Sequence, residues 1–160
     1  MRVYIIRHGK THRESESGVD ADRELKNKGY NQSKALAQRL AESDPPPAMV
    51  IASPYKRAQQ TAKPIWNSLD QQPQTDDRLA AHRTIEDALD VLVDTAGARS
   101  VAIIAHNPTM SRLVDLLIHG PAAPSMTMLR TGELIALDID PNQMLGSAEL
   151  IDQFRMGSSA

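Results

Sequence analysis

The sequence contains no cysteine among its 160 residues. Disulfide scaffolds, cysteine nucleophiles, cysteine-ligated zinc sites and iron–sulfur clusters are therefore excluded. Aromatic residues make up only 3% of the chain, too few for the stacking platforms of a protein that binds single-stranded nucleic acid. The formal net charge is −2. The chain therefore has no excess of basic residues, which a nucleic-acid partner or an anionic membrane surface would favour.

The sequence also lacks long apolar runs. None approaches the roughly 20 residues that a membrane-spanning helix needs. The apolar N-terminal segment is interrupted by Arg7 and His8, which is too early for a signal peptide. A chain of this length corresponds to one domain, over residues 1–160. We therefore expect a soluble, cytoplasmic, single-domain protein.

Short apolar segments predict three buried strands, because each segment is rich in β-branched or aliphatic residues and too short for a helix. They cover residues 3–6, 49–52 and 100–105. Two later segments, residues 132–139 and 148–154, are predicted to be strands that are antiparallel or lie at an edge of the sheet.

Segments with helical spacing of apolar residues alternate with these strands. They predict helices over residues 27–43, 54–69, 84–95 and 108–119. Ser53 as N-cap and Pro54 as first helical residue would open the second helix, which Pro64 should kink or divide. Strands alternating with helices predict an α/β fold with a mainly parallel sheet.

Cationic and imidazole side chains follow the three buried strands. Arg7 and His8 follow the first strand, Arg57 lies just after the second, and His106 follows the third. Ligands of such sheets bind outside the carboxyl ends of the strands, so these side chains should meet in one pocket. Arginine offers a planar fork to phosphate oxygens, and neutral histidine is a nucleophile. This set predicts a phosphoryl site with no metal and no cofactor.

Several neighbouring residues fit the same interpretation. Gly9 lacks a side chain and would let the backbone approach an anion closely. Asn107 could donate to a phosphoryl oxygen, or it could only cap the helix after it. The helices predicted to begin at Pro54 and Pro108 would add backbone N–H groups and a favourable dipole. Thr131 precedes a late strand and is a further candidate to line the site.

Three segments carry a resemblance to a known family. Residues 3–9 (VYIIRHG), 52–62 (ASPYKRAQQTA) and 105–108 (AHNP) resemble the three motifs of the histidine phosphatase superfamily, also called the phosphoglycerate-mutase-like family. Their order and approximate spacing match, and the resemblance covers nearly the whole chain. The short chain, without a large insertion, resembles the SixA-type phosphohistidine phosphatases in particular. The resemblance implies a three-layer α/β/α sandwich.

The resemblance also implies roles for individual residues. His8 would be the nucleophile and would form a transient phosphohistidine. Arg7, Arg57 and His106 would cradle the three phosphoryl oxygens, which agrees with the preference of a transferring phosphoryl group for preorganised cations. His8 must be neutral at its attacking nitrogen, and the carbonyl of Gly9 is a candidate to hold the other nitrogen.

The general acid of the larger family members has no counterpart here. They place a glutamate after the second motif, whereas residues 78–84 of this chain contain no carboxylate. This favours a substrate with an easier leaving group than an alkoxide, such as a phosphorylated imidazole. Asp20 is the candidate substitute acid, and Asp22 and His82 are the alternatives.

Three functions remain open on the sequence. The favoured one is a phosphatase that acts on phosphohistidine in a protein partner, such as a histidine-phosphotransfer domain. The second is a phosphatase for small phosphate esters, a sugar phosphate or a nucleotide. The third is a phosphate-binding module that has lost catalysis. We expect a monomer that has neither a nucleic-acid nor a membrane partner.

Overall fold

The central sheet is six-stranded within residues 1–157, the part of the chain that this computed structural model describes. Its strands in chain order are β1 (Arg2–Arg7), β2 (Met49–Ala52), β3 (Gln74–Thr75), β4 (Ser100–Ala105), β5 (Leu134–Asp138) and β6 (Glu149–Phe154). Their order across the sheet is β3-β2-β4-β1-β5-β6. The pairs β1–β4, β2–β4 and β2–β3 are parallel. Strand β5 runs antiparallel to both of its neighbours, β1 and β6. The predicted α/β fold with a mainly parallel sheet is confirmed.

Helices cover both faces of the sheet and complete three layers. They are α1 (Asn27–Ala41), α2 (Lys56–Ser68), α3 (Ile85–Asp94) and α4 (Thr109–His119). Because side chains alternate along a strand, β1 feeds two cores: Val3 and Ile5 pack towards α3 and α4, whereas Tyr4 and Ile6 pack towards α1 and α2. Short 3-10 turns occur at Asp20–Asp22 and Asp77–Leu79.

The second helix differs from its sequence prediction at two places. It begins at Lys56 rather than at Pro54, because the Ser53 hydroxyl is not its N-cap and instead bonds a histidine ring described below. Pro64 does not divide it, since Ile65 and Trp66 are buried on the sheet and hold the helix together past the missing N–H.

The edges of the sheet also depart from a simple pattern. Strand β3 has only two residues, both exposed and polar, so no apolar periodicity indicates it. Strand β6 pairs with β5 at the other edge, as predicted. No helix within residues 1–157 is both long and apolar enough to cross a membrane. The prediction of one domain over residues 1–160 extends past the described range and stays a prediction.

Candidate active site

The carboxyl ends of β1 and β4 bring two histidines together. The strands are parallel neighbours with Arg7 opposite Ala105, so the residues that follow, His8 and His106, leave the sheet side by side. Their ring centroids lie 5.2 Å apart, and both residues are buried. Strand β2 ends beside β4 and leads into α2, whose second residue is Arg57. The sheet order thus gathers the side chains that the sequence predicts to share a pocket.

His8 is held as a neutral imidazole. Its Nδ1 lies 2.8 Å from the carbonyl oxygen of Gly9, so Nδ1 carries the ring proton and donates it there. Its Nε2 accepts from Nε of Arg57 at 3.3 Å, which places the free lone pair on Nε2. Burial, together with the charges of Arg57 and Arg7, lowers the pKa of His8 to about 4 despite the Gly9 hydrogen bond. At neutral pH the ring is therefore neutral, with its proton on Nδ1 and its nucleophilic lone pair on Nε2.

Gly9 has a different task from the one predicted. Its N–H donates to Oγ1 of Thr61 at 3.0 Å, so this amide does not face an anion. A Cβ on Gly9 would lie 2.8 Å from the carbonyl oxygen of Gly29, and a Cβ on Gly29 would lie 2.2 Å from that of Lys10. The absence of side chains lets the start of α1 pack against the loop that follows β1. In this structure Gly9 allows close packing and its carbonyl orients His8, and its predicted role in phosphate binding stays a prediction.

Arg57 is clamped by Asp20 as well as by His8. Its Nη1 donates to the backbone oxygen of Asp20 at 2.8 Å, and its Nη2 donates to the Asp20 carboxylate at 3.2 Å. The guanidinium carbon lies 5.0 Å from the ring centroid of Tyr55. The side chain of Arg57 is 6% exposed, compared with 56% for Asp20. A buried cation is thus fixed from the solvent side, which is the preorganisation that binding of a phosphoryl group requires.

Arg7 keeps donors free for an anion. Its Nη1 donates to the carbonyl oxygen of Leu129 at 3.0 Å. Its Nε is buried and has no hydrogen-bond partner among the described residues. Burial and the neighbouring charges of Arg155 and Arg57 lower the pKa of Arg7, because each of them disfavours a further cation. A bound phosphoryl group would satisfy the free Nε and relieve this repulsion.

His106 offers one ring nitrogen to the pocket. Its Nε2 lies 2.7 Å from Oγ of Ser53, and the backbone N–H of Tyr55 donates to the same Oγ at 3.2 Å. We therefore assign the Ser53 hydroxyl as donor to Nε2, which leaves the ring proton on Nδ1. This Nδ1 is buried without a partner in residues 1–157. Burial, with the neighbouring His8 and the cations Arg57 and Arg7, lowers the pKa of His106 to about 3, so the ring is neutral at neutral pH.

These side chains line a pocket of about 320 Å³. Arg7, His8, Arg57, His106 and Asn107 are all part of its wall. No group of three or more histidine, cysteine, aspartate or glutamate residues within the described range is arranged to hold a metal ion.

Asn107 holds the surrounding loop and the following helix. Its Oδ1 accepts from the backbone N–H of Ser111 at 3.2 Å and from the Ser111 hydroxyl at 2.7 Å. Its Nδ2 donates to Leu129 at 2.7 Å. The Oδ1 atom therefore caps the first turn of α4, while Asn107 also lines the pocket, and its role as a phosphate donor stays a prediction. Thr131 lines the pocket, and its carbonyl oxygen accepts from Arg155 at 2.9 Å.

The three candidate acids have different surroundings. Asp20 bonds Arg23 at 2.9 Å as well as Arg57, and these partners lower the pKa of its carboxyl, so it is ionised at neutral pH and unsuited to donate a proton. Asp22 is exposed and accepts from a serine of its own loop. His82 is also exposed, but its Nδ1 lies 3.4 Å from the Tyr55 hydroxyl. The Asp20 carboxylate contacts Arg57 in this structure, and its predicted role as the acid stays a prediction.

Two contributors escape sequence reasoning. Tyr55 packs edge-on against His106, with ring centroids 5.0 Å apart, as well as against Arg57. Arg23 ties the 3-10 turn to the pocket wall through the carbonyl of His12 and the Oγ1 of Thr11, both at 2.8 Å. Tyr55 stands inside the second motif and could have been suspected there. Arg23 lies in a polar, aperiodic loop and gives no such signal.

The sequence matches the model of a known protein family. The family model of the histidine phosphatase superfamily, branch 1, matches residues 3–83, which include the first two motifs and the helix between them. The chain belongs to the histidine phosphatase superfamily. Membership in this superfamily supports a hydrolase activity of the phosphatase type. The third motif lies outside the matched range, and the structure places its His106 beside His8.

Solved structures of histidine phosphatases share the fold over nearly the whole chain. The protein histidine phosphatase SixA in complex with tungstate superposes with a TM-score of 0.82 at 24% identity, covering 97% of both chains. A protein of Agrobacterium tumefaciens assigned as SixA gives 0.79 at 25% identity and 96% coverage of both chains. The mycobacterial glucosyl-3-phosphoglycerate phosphatase complexed with VO3 gives 0.74 at 17% identity, covering 93% of this chain and 96% of the other.

A curated relative is an uncharacterised protein of Picosynechococcus sp. It is 26% identical over 135 residues, which is 82% of each chain. The histidine phosphatase described here shares the fold of the SixA structures over nearly its whole length.

Proposed function

We propose that this histidine phosphatase removes the phosphoryl group from phosphohistidine in a protein partner, such as a histidine-phosphotransfer domain. One observation carries the proposal: the pocket presents a neutral His8 beside Arg7, Arg57 and His106, and no carboxyl group of residues 1–157 lines it to protonate a leaving group. The resemblance to SixA structures supports it. The proposed reaction needs neither metal nor cofactor and is carried out by a cytoplasmic monomer.

In the proposed first step, Nε2 of His8 forms a bond to phosphorus while the bond to the substrate's imidazole nitrogen breaks. If the other nitrogen of the substrate ring carries a proton, the ring leaves as neutral imidazole. No proton has to be supplied. An alkoxide leaving group would require one, which is why the ionised Asp20 fits a phosphoramidate better than an alkyl ester.

In the proposed second step, water attacks phosphorus and the bond to Nε2 of His8 breaks. Both protons of the water end on the released phosphate, and His8 returns to its neutral form with its proton still on Nδ1. Arg7, Arg57 and Nδ1 of His106 are placed to stabilise the charge on the phosphoryl oxygens in both steps.

Hydrolysis of small phosphate esters is the second candidate function. The Tyr55 hydroxyl lies 3.4 Å from Nδ1 of His82, and the Tyr55 ring packs on His106, so this pair is connected to the site through His106. A proton from this pair would allow an alkoxide to leave. This candidate predicts that the variant His82→Ala loses activity on esters while activity on phosphohistidine persists.

The test compares a phosphorylated histidine-phosphotransfer protein with a panel of small phosphate monoesters, in the presence of a metal chelator. We expect fast hydrolysis of the phosphoprotein, slow hydrolysis of the esters, and loss of both with His8→Ala. Faster hydrolysis of the esters would overturn the phosphohistidine proposal in favour of the second candidate. Phosphate binding without turnover or a trapped phosphoenzyme would indicate a binding module instead.

A further inference from the structure

The wall of the active-site pocket contains more positive charge than one phosphoryl group requires. Five cationic side chains line it: Arg7, Lys10, Arg13, Arg23 and Arg57. No carboxylate within residues 1–157 is part of the lining. The whole chain carries a formal net charge of −2, so this excess is local to the pocket.

Three of these cations already have defined partners. Arg7 and Arg57 face the two histidines, and together they balance a phosphoryl group of charge about −2. The Asp20 carboxylate pairs with Arg23 at 2.9 Å and with Arg57 at 3.2 Å, so it offsets one further charge among the three arginines. Binding of the phosphoryl group therefore leaves the charge of two side chains without a counterpart.

The remaining two are Lys10 and Arg13. Both are exposed, and neither side chain has an ion pair or a hydrogen bond with any of the described residues. Lys10 is held in place by its backbone, which donates to Gln32 at 2.9 Å and accepts from Lys26 at 2.9 Å. The Lys10 ammonium and the Arg13 guanidinium therefore line the pocket without a partner in residues 1–157.

A second cavity adjoins the pocket at this rim. It has a volume of about 350 Å³ and shares Arg13 and Arg23 with the active-site pocket as common walls. Glu14 lines this second cavity only. Its negative charge disfavours an anion deep in the second cavity and favours one on the active-site side of Arg13, close to Lys10.

We propose that Lys10 and Arg13 bind a second anionic group that the substrate carries beside its phosphoryl group. The proposal deepens the proposed function and rests on it: in a protein substrate the second group would be an acidic side chain next to the phosphohistidine. A carboxylate of a small phosphate ester has the same chemistry. The site thus selects for substrates with two anionic groups.

The experiment uses two matched pairs of substrates. One pair consists of phosphohistidine peptides with either glutamate or alanine beside the phosphorylated residue. The other pair is carboxyphenyl phosphate and phenyl phosphate. For each pair, kcat/KM of the acidic substrate is divided by that of the neutral one. The ratio is measured for the wild type, for the double variant Lys10→Ala/Arg13→Ala, and for Lys34→Ala, an exposed lysine of α1 outside the pocket wall.

We expect the double variant to lower the ratio by about tenfold, the size of a lost charged hydrogen bond or two at an exposed site. Added salt should lower the wild-type ratio, because exposed charges are screened. A drop confined to the peptides assigns the anion to a protein substrate, and a drop confined to the esters assigns it to a small molecule.

An unchanged ratio for both pairs in the double variant would overturn the proposal, as would an equal drop in Lys34→Ala. Failure of the proposed function has a different signature. If neither peptide is hydrolysed, phosphohistidine is not the substrate, and the ester pair alone decides whether the anion site exists.

Discussion

Nδ1 of His8 and the carbonyl oxygen of Gly9 form a hydrogen bond of 2.8 Å between consecutive residues. This bond fixes the tautomer of the imidazole and turns Nε2, with its lone pair, towards Arg57. The carbonyl can hold this position because the N–H of Gly9 donates to Oγ1 of Thr61 and Gly9 packs against Gly29. The nucleophile is therefore oriented by backbone packing rather than by a neighbouring carboxylate.

Replacing the nucleophile tests its assignment most directly. His8→Gln should lower turnover of either substrate class by about 10³-fold or more, because no other group is placed to form the covalent intermediate. The acid-labile phosphoenzyme, trapped by rapid quenching with labelled substrate, should disappear with it. His119→Gln, at an exposed histidine of α4, is the matched control and should retain both. A phosphoenzyme persisting in His8→Gln would contradict the assignment.

The pH dependence of kcat/KM should report the lowered pKa of His8. Burial and the cations around it lower its pKa from 6.5 to about 4, and only the neutral ring attacks phosphorus. We therefore expect kcat/KM to stay level, as far as His8 is concerned, from pH 8 down to about 5 and to fall as pH drops through about 4. The measurement is initial rates on a monoester that is stable in acid. A limb near pH 6.5 that the second ionisation of the substrate's own phosphate does not account for would show that His8 has an ordinary pKa.

Asp20 should act through Arg57 rather than as a proton donor. Asp20→Asn removes the charge that holds the guanidinium, so we expect kcat/KM to fall by about tenfold on phosphohistidine and on esters alike. The diagnostic quantity is kcat/KM on phosphohistidine divided by kcat/KM on esters, and this ratio should not change. A selective loss on esters would instead make Asp20 the acid. Asp90→Asn, at an exposed position of α3, serves as the control.

The ring of Tyr55 should matter more than its hydroxyl for phosphohistidine. Tyr55→Leu removes the contacts to His106 and Arg57, for which we expect a loss of about tenfold in kcat/KM. Tyr55→Phe keeps the ring and should lose less. A large loss in Tyr55→Phe that is limited to esters would instead identify the contact between Tyr55 and His82 as the source of a proton.

The packing of the backbone beneath the nucleophile should limit stability. Gly29→Ala would place its Cβ 2.2 Å from the carbonyl oxygen of Lys10, so we expect a loss of about 1–3 kcal/mol in the free energy of unfolding. Gly97→Ala is the matched control, since nothing lies within 4 Å of its added Cβ. Urea unfolding of both variants gives the comparison. A Gly29→Ala protein as stable as the Gly97→Ala control would contradict the close approach.

Much of the fold follows from local patterns in the sequence. The segments of β1, β2 and β4 are short, apolar and nearly continuous, as strands buried on both faces must be. Because parallel strands end at one edge, the same patterns place Arg7, His8 and His106 together. The two-residue strand β3 was not predictable, since it consists of two exposed polar residues at an edge.

The chemical states of the site depend on contacts that no local pattern contains. Whether Asp20 is an acid or an anchor depends on where the loop after β1 meets α2, and the structure places its carboxylate on two arginines. Gly9 likewise suggests an anion-binding backbone in sequence, yet it packs against Gly29 twenty residues later.

The motifs, the strand ends and the missing carboxylate in residues 78–84 can thus be read from the sequence alone. Which nitrogen of His8 attacks, which charges are neutralised and which remain free required the tertiary structure. The physical reason is that periodicity and motif spacing report on neighbours along the chain. Ionisation and hydrogen bonding are set by burial and by partners from distant segments.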